Sequence, residues 1–184
     1  DADGDVEIVE ATSLILPVDA NTVSSTDSLA RSWSRIDGTL INTYEYTVEN
    51  GEVMSSMGLS RTEGTWVIEG EIQGKKVNSE LSYDDVFTSN FGAYLETQKL
   101  ANSDQDSLSY NTWSLEGDPT QPTPTVMYKK SQKNGLLELV AEIESFKIEY
   151  TVDEDFIMQK AKVEMGPIDY GVMPMYVSGK PIKL

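Results

Sequence analysis

LINTYEYTVENGEVMSSMGLS, Leu40 to Ser60, decides the fold class of this chain. Its first half alternates with a period of two. Leu40, Asn42, Tyr44, Tyr46 and Val48 fall on one face of an extended segment, and Ile41, Thr43, Glu45, Thr47 and Glu49 on the other. Asn50-Gly51 then offers the two positive-φ positions of a type I′ turn, the strongest short-range hairpin signal. On the return, Val53, Ser55, Met57 and Leu59 point one way. The reading is a β-hairpin with the Tyr44 and Tyr46 face turned inward.

The same logic extends in both directions. Thr62-Glu63-Gly64 turns the chain again, and Trp66, Ile68, Gly70 and Ile72 alternate with Val67, Glu69, Glu71 and Gln73. Gly74-Lys75-Lys76 is read as the next reversal, into a strand from Val77 to Tyr83. From Ser82 to Ala101 two readings stay open. Phe87, Phe91, Tyr94 and Leu95 have helical spacing and Ser82 with Asp85 fits a capping box, whereas Gly92 weakens a helix and Phe91, Ala93 and Leu95 also alternate. A strand follows from Leu108 to Leu115. Pro119, Pro122 and Pro124 then predict a loop before strand-like sequence resumes at Val126. In the last third, Leu137, Leu139, Ala141 and Ile143 give way to Phe146, Ile148, Tyr150 and Val152. That change of phase predicts a bulge or turn near Glu144-Ser145. Asp153-Glu154-Asp155 reads as a turn, and glycines and prolines punctuate the stretch after Met165.

About nine or ten short strands joined by hairpins predict a mainly β, antiparallel meander. It forms a closed or half-open barrel, or alternatively a β-sandwich, with at most one or two short helices. The expected organisation is a single β-domain over 1-184, with 1-10 an acidic N-terminal extension. A chain of 184 residues with three Trp, nine Tyr and four Phe has apolar content enough for a core.

Composition limits the chemistry. The chain has no His and no Cys, which removes Ser-His-Asp and Cys-His nucleophiles, imidazole or thiolate zinc sites and thiol redox pairs. Asp and Glu number 31 against 14 Lys and Arg, for a formal charge of −17. Such a field repels nucleic-acid phosphates, so no nucleic-acid partner is expected. No run of about 18 apolar residues occurs, so no membrane-spanning segment is expected. The small, acidic residues Asp1 to Asp5 resemble the start of an exported chain, and the expected location is extracellular or periplasmic.

Several constellations have both a functional and a bland reading. Asp1, Asp3 and Asp5 alternate like calcium-loop ligands, but Val6 stands where that loop needs its glycine, so no metal is assigned there. Glu69 with Glu71, Glu142 with Glu144 and Asp153 with Asp155 share strand faces in pairs. Glycoside hydrolysis uses carboxylates about 5 to 9 Å apart, but alternation with apolar residues makes these pairs the solvated side of half-buried strands. Arg31, Arg35 and Arg61 are possible anion clamps. Trp33, Trp66 and Trp113 suit stacking if they cluster on an open face, and Met165, Met173 and Met175 suit an adaptable apolar pocket.

The leading expectation is an exported, non-enzymatic protein that binds an apolar or amphipathic small molecule inside its barrel, with no cofactor. The expected ligand-binding residues are Tyr44, Tyr46, Trp66, Tyr94, Met173 and Tyr176. In architecture alone the pattern resembles bacterial lipid-carrier half-barrels and lipocalin-like proteins. Two alternatives stay open: a small barrel cyclase or isomerase using a Tyr or carboxylic acid as its acid, and an extracellular interaction module whose surface carries the function.

Overall fold

The computed structural model describes residues 5–17, 21–83, 85–115, 118–143, 146–165 and 168–172. The described residues form twelve strands and one helix, and the strands make two antiparallel meanders. The first sheet holds β1 (Val6–Pro17), β2 (Val23–Ser34), β3 (Leu40–Glu49), β4 (Glu52–Thr62), β5 (Thr65–Ile72) and β6 (Lys75–Leu81), paired in chain order. The helix α1 (Asn90–Ala101) follows. The second sheet runs, again in chain order, through β7 (Ser107–Thr112), β8 (Thr123–Lys133), β9 (Leu136–Ile143), β10 (Phe146–Val152), β11 (Met158–Met165) and β12 (Ile168–Val172). Two compact units result: Asp1–Gly92 with Trp113–Pro122, and Ala93–Thr112 with Thr123–Leu184.

Hairpin chemistry builds the first unit. Asn50 and Gly51 both have positive φ, 50° and 86°, as the turn type demands, and Glu63-Gly64 and Gln73-Gly74 repeat the pattern. The third reversal therefore sits on Gln73-Gly74, one residue before the predicted Gly74-Lys75-Lys76, and β6 begins at Lys75. Sequence periodicity left β1 and β2 unassigned. β2 turns Ser32 and Ser34 to the buried side, so its inner face lacks the large apolar residues that mark a strand. β1 takes Val6 to Glu10 into the sheet opposite Ser34 to Ala30.

The core of this unit is Leu40, Met57, Leu59, Trp66, Ile68, Leu81, Phe87 and Trp113. Phe87 meets Trp66 edge-on, with centroids 5.0 Å apart at 68°. The Trp66 indole N–H donates to the Asp85 carbonyl at 3.0 Å, so this polar atom is satisfied as well. Each such large side chain contributes about 1.5–3 kcal/mol by leaving water.

The open segment 82–101 is a helix only from Asn90. Its N-cap is Ser89, not Ser82: the Ser89 hydroxyl accepts from the Gly92 N–H at 2.9 Å and donates to the Gly38 carbonyl at 3.0 Å. Gly92, a liability on propensity, fits for a tertiary reason. A Cβ there would lie 2.4 Å from the Gly38 carbonyl oxygen.

In the second unit, Leu100 of α1 packs with Met127, Leu137, Leu139 and Val152. Pro124, expected in a loop, lies inside β8 opposite Asn111. The β9 pairing begins only at Thr125, so the missing Pro124 N–H leaves no ladder bond unmade on that side. Asn134-Gly135 makes the β8–β9 turn with φ of 56° and 74°. The change of phase expected at Glu144-Ser145 falls outside the described residues. At the predicted Asp153 turn, the carboxylate accepts from the Asp155 and Ile157 amides at 2.9 and 3.0 Å. Among the described residues no helix is long and apolar enough to cross a membrane.

Candidate functional site

Tyr44 and Tyr46 lie on the face of the first sheet opposite the core, not on the interior face read from periodicity. The cause is a β-bulge. Trp33 pairs with Asn42 but Ser34 pairs with Leu40, which leaves Ile41 as an extra residue in β3. Leu40 and Thr43 are therefore both buried, while Tyr44 is 39% exposed. Thr43 stands opposite the buried Leu59, and Glu45 opposite the buried Met57.

Register fixes what surrounds the tyrosines. One row across the outer face runs Arg31, Tyr44, Gly58, Glu69, Asn78. The next row runs Trp33, Asn42, Ser60, Val67, Glu80, and the row on the other side Leu29, Tyr46, Ser56, Glu71, Lys76. Directly paired residues share a face, so these side chains form one surface.

Within that surface lies an open groove of about 380 Å³, lined among others by Asn42, Tyr44, Ser56, Gly58, Ser60 and Glu69. Tyr44 forms a wall, and its hydroxyl is 2.8 Å from the Ser56 Oγ. Glu69 accepts a hydrogen bond from the Asn78 amide at 3.3 Å. Arg31 pairs with Glu7 and lies 4.5 Å over the Trp33 ring, so this cation is already engaged beside the groove.

Gly58 forms part of the groove floor. Its backbone is not left-handed, and a Cβ would meet only ordinary contacts: the Glu69 and Thr43 carbonyl oxygens at 3.7 Å and the Tyr44 ring at 4.0 Å. Neither backbone geometry nor packing demands glycine at that position. Gly70, on the adjacent strand, is the opposite case. Its φ is 153° and a Cβ would lie 2.0 Å from the Ser56 carbonyl oxygen.

Of the other expected site residues, Trp66 does not share the face of Tyr44 and Tyr46. Trp66 has no exposed surface and is packed in the core. Tyr94 belongs to the second unit, where its hydroxyl donates to the Asp155 carbonyl at 3.3 Å and its ring meets Phe156 edge-on. Met173 and Tyr176 lie outside the described residues. Asn42, Ser60 and Gly58 escaped sequence reading because only register brings them together. Gly58, a glycine in mid-strand, was the one local signal.

The second unit has a smaller depression of about 130 Å³ on its sheet, lined by Lys130, Glu138, Glu149, Tyr150, Lys160 and Lys162 among others. Lys130 holds Glu149 at 3.0 Å, and that hydrogen bond keeps the Glu149 carboxyl below the usual carboxylate range. Inside the same unit, burial pushes the Tyr110 and Tyr150 phenols up, and the Tyr150 hydroxyl lies 3.3 Å from the Met127 sulfur. The hydroxyls of Thr123 and Thr125 are buried without a hydrogen-bond partner among the described residues. Among those residues no group of three or more Asp and Glu is placed to hold a metal.

Fold and surface together define a mainly β protein of two antiparallel meanders with one helix. The fold is similar to the crystal structure of a beta-barrel-like protein of domain of unknown function DUF1849 from Brucella abortus. The TM-score is 0.65, over 92% of this chain and 79% of that one. Identity is 11%, so the likeness is one of fold alone. No family model matches the sequence, and no curated protein matches it.

Proposed function

We propose that this chain is an exported, non-enzymatic binding protein whose amphipathic small-molecule ligand sits in the Tyr44–Gly58 groove on the outer face of the first sheet. The observation that carries the reading is Gly58. Glycine inside a strand costs roughly 0.5–1 kcal/mol relative to alanine, and here no contact or backbone angle requires it. What its missing side chain provides is open floor beside an exposed tyrosine, the setting in which a ligand approaches a strand backbone closely. The groove volume of about 380 Å³ lies within the range of small-molecule sites. The inner face of the same sheet carries the chain's own core side chains, which favours the outer face as the ligand's seat.

The test is a two-dimensional NMR titration of the isotopically labelled chain with a fragment library. Hits are expected to shift the backbone amides of residues 42–46, 56–60 and 67–71. Hits that leave these amides unmoved, or a library without hits, would refute the groove as the site. Fractionation of cells that carry the native protein tests export separately, and recovery in the cytosolic fraction would overturn that part.

A further inference from the structure

We infer that the ligand of this groove is a neutral carbohydrate, a reading that rests on the groove being the binding site. The chemistry of the lining selects the class. Tyr44 offers an exposed aromatic face whose position is fixed by Ser56 at 2.8 Å, and a sugar's C–H face packs on such a ring. Around it stand the Asn42 amide, the Ser60 hydroxyl and the Glu69 carboxylate, which together donate to and accept from hydroxyl groups. Asn42 and Ser60 have no side-chain hydrogen bond to another described residue, so their groups are available. A purely apolar ligand would leave these groups unpaired, at a cost.

Charge excludes the anionic alternatives. Glu69 is the charged group of the lining, Arg31 is engaged by Glu7 and Trp33, and the chain carries −17 overall. A simple amine would find one carboxylate, already shared with Asn78, and would use little of the hydroxyl and amide lining. The Tyr44 ring leans over β4, with its hydroxyl at Ser56 and its edge 4.0 Å from where a Gly58 Cβ would stand, so the ring and Glu69 flank the same stretch of β4.

The experiment titrates the full labelled chain with neutral trisaccharides (cellotriose, maltotriose and tri-N-acetylchitotriose), with glucose, with choline and with trigalacturonate. Glucose or at least one neutral trisaccharide should shift the amides of residues 42–46 and 56–60. The dissociation constant should rise tenfold or more in Tyr44→Ala and severalfold in Glu69→Gln. Both side chains are exposed, and unchanged tryptophan fluorescence will show that the variants fold. If fragments, choline or trigalacturonate shift these amides and no neutral sugar does, the sugar class is overturned while the groove stands. If nothing shifts them, both readings fall. Sugar binding that ignores Tyr44→Ala overturns the inference as well.

Discussion

Replacing Gly58 and Gly70 by alanine, one at a time, separates a glycine kept for an open floor from one the fold requires. In Gly58→Ala the new methyl meets the Glu69 and Thr43 carbonyl oxygens at 3.7 Å, ordinary contact distances, in a backbone conformation any residue adopts. The substitution removes unfolded-chain entropy, so stability should rise by about 0.5–1 kcal/mol. For a chain of this size that is a gain of roughly 1–4 °C in Tm. In Gly70→Ala the methyl would sit 2.0 Å from the Ser56 carbonyl oxygen and 2.8 Å from the Met57 Cα, both backbone atoms of the paired strand. Neither can retreat without breaking the β4–β5 ladder. Overpacking costs about 1–3 kcal/mol and the unfavourable φ of 153° about 1–3 more, so a loss near 4 kcal/mol is expected. The assay is urea unfolding followed by tryptophan fluorescence. Trp33, Trp66 and Trp113 all lie in the first unit, so the signal reports that unit even if the second unfolds separately. A loss of about 1 kcal/mol or more in Gly58→Ala would show that this glycine is structural and would remove the main support for the groove.

Three further outcomes are expected. Burial raises the Tyr110 and Tyr150 phenols above their unfolded value of 10.0. Their contribution to stability is thus complete below about pH 10 and is lost as pH climbs through the folded values. Tyr110→Phe should flatten this alkaline loss, read by tyrosinate absorbance and circular dichroism, and an unchanged profile would contradict it. Thr125→Val removes a buried hydroxyl that has no partner among the described residues and should stabilise the chain by about 1 kcal/mol in urea unfolding; destabilisation would mean that another group bonds that hydroxyl. Ser89→Ala should cost about 1–2 kcal/mol, because the Gly92 amide and the Gly38 carbonyl each lose a buried bond. A loss under about 0.3 kcal/mol would show that the cap is dispensable.

The sequence by itself determined the hairpin ladder from β3 to β6 and the strands β9 and β10. Alternation and Asn-Gly or X-Gly turns are local, and a few neighbouring residues specify them. It also determined the limits on chemistry, since the absence of His and Cys needs no structure to read. Only the tertiary structure decided which way Tyr44 faces, because the extra residue Ile41 in β3 shows only against its partner β2. The same holds for β2, whose inner face carries Ser32 and Ser34 and no hydrophobic period, and for α1, where Gly38 explains both the Ser89 cap and Gly92. The groove is the fullest case. Asn42, Gly58 and Glu69 are far apart in the chain and adjacent only through the register of three strands, a property of pairs that no single segment encodes.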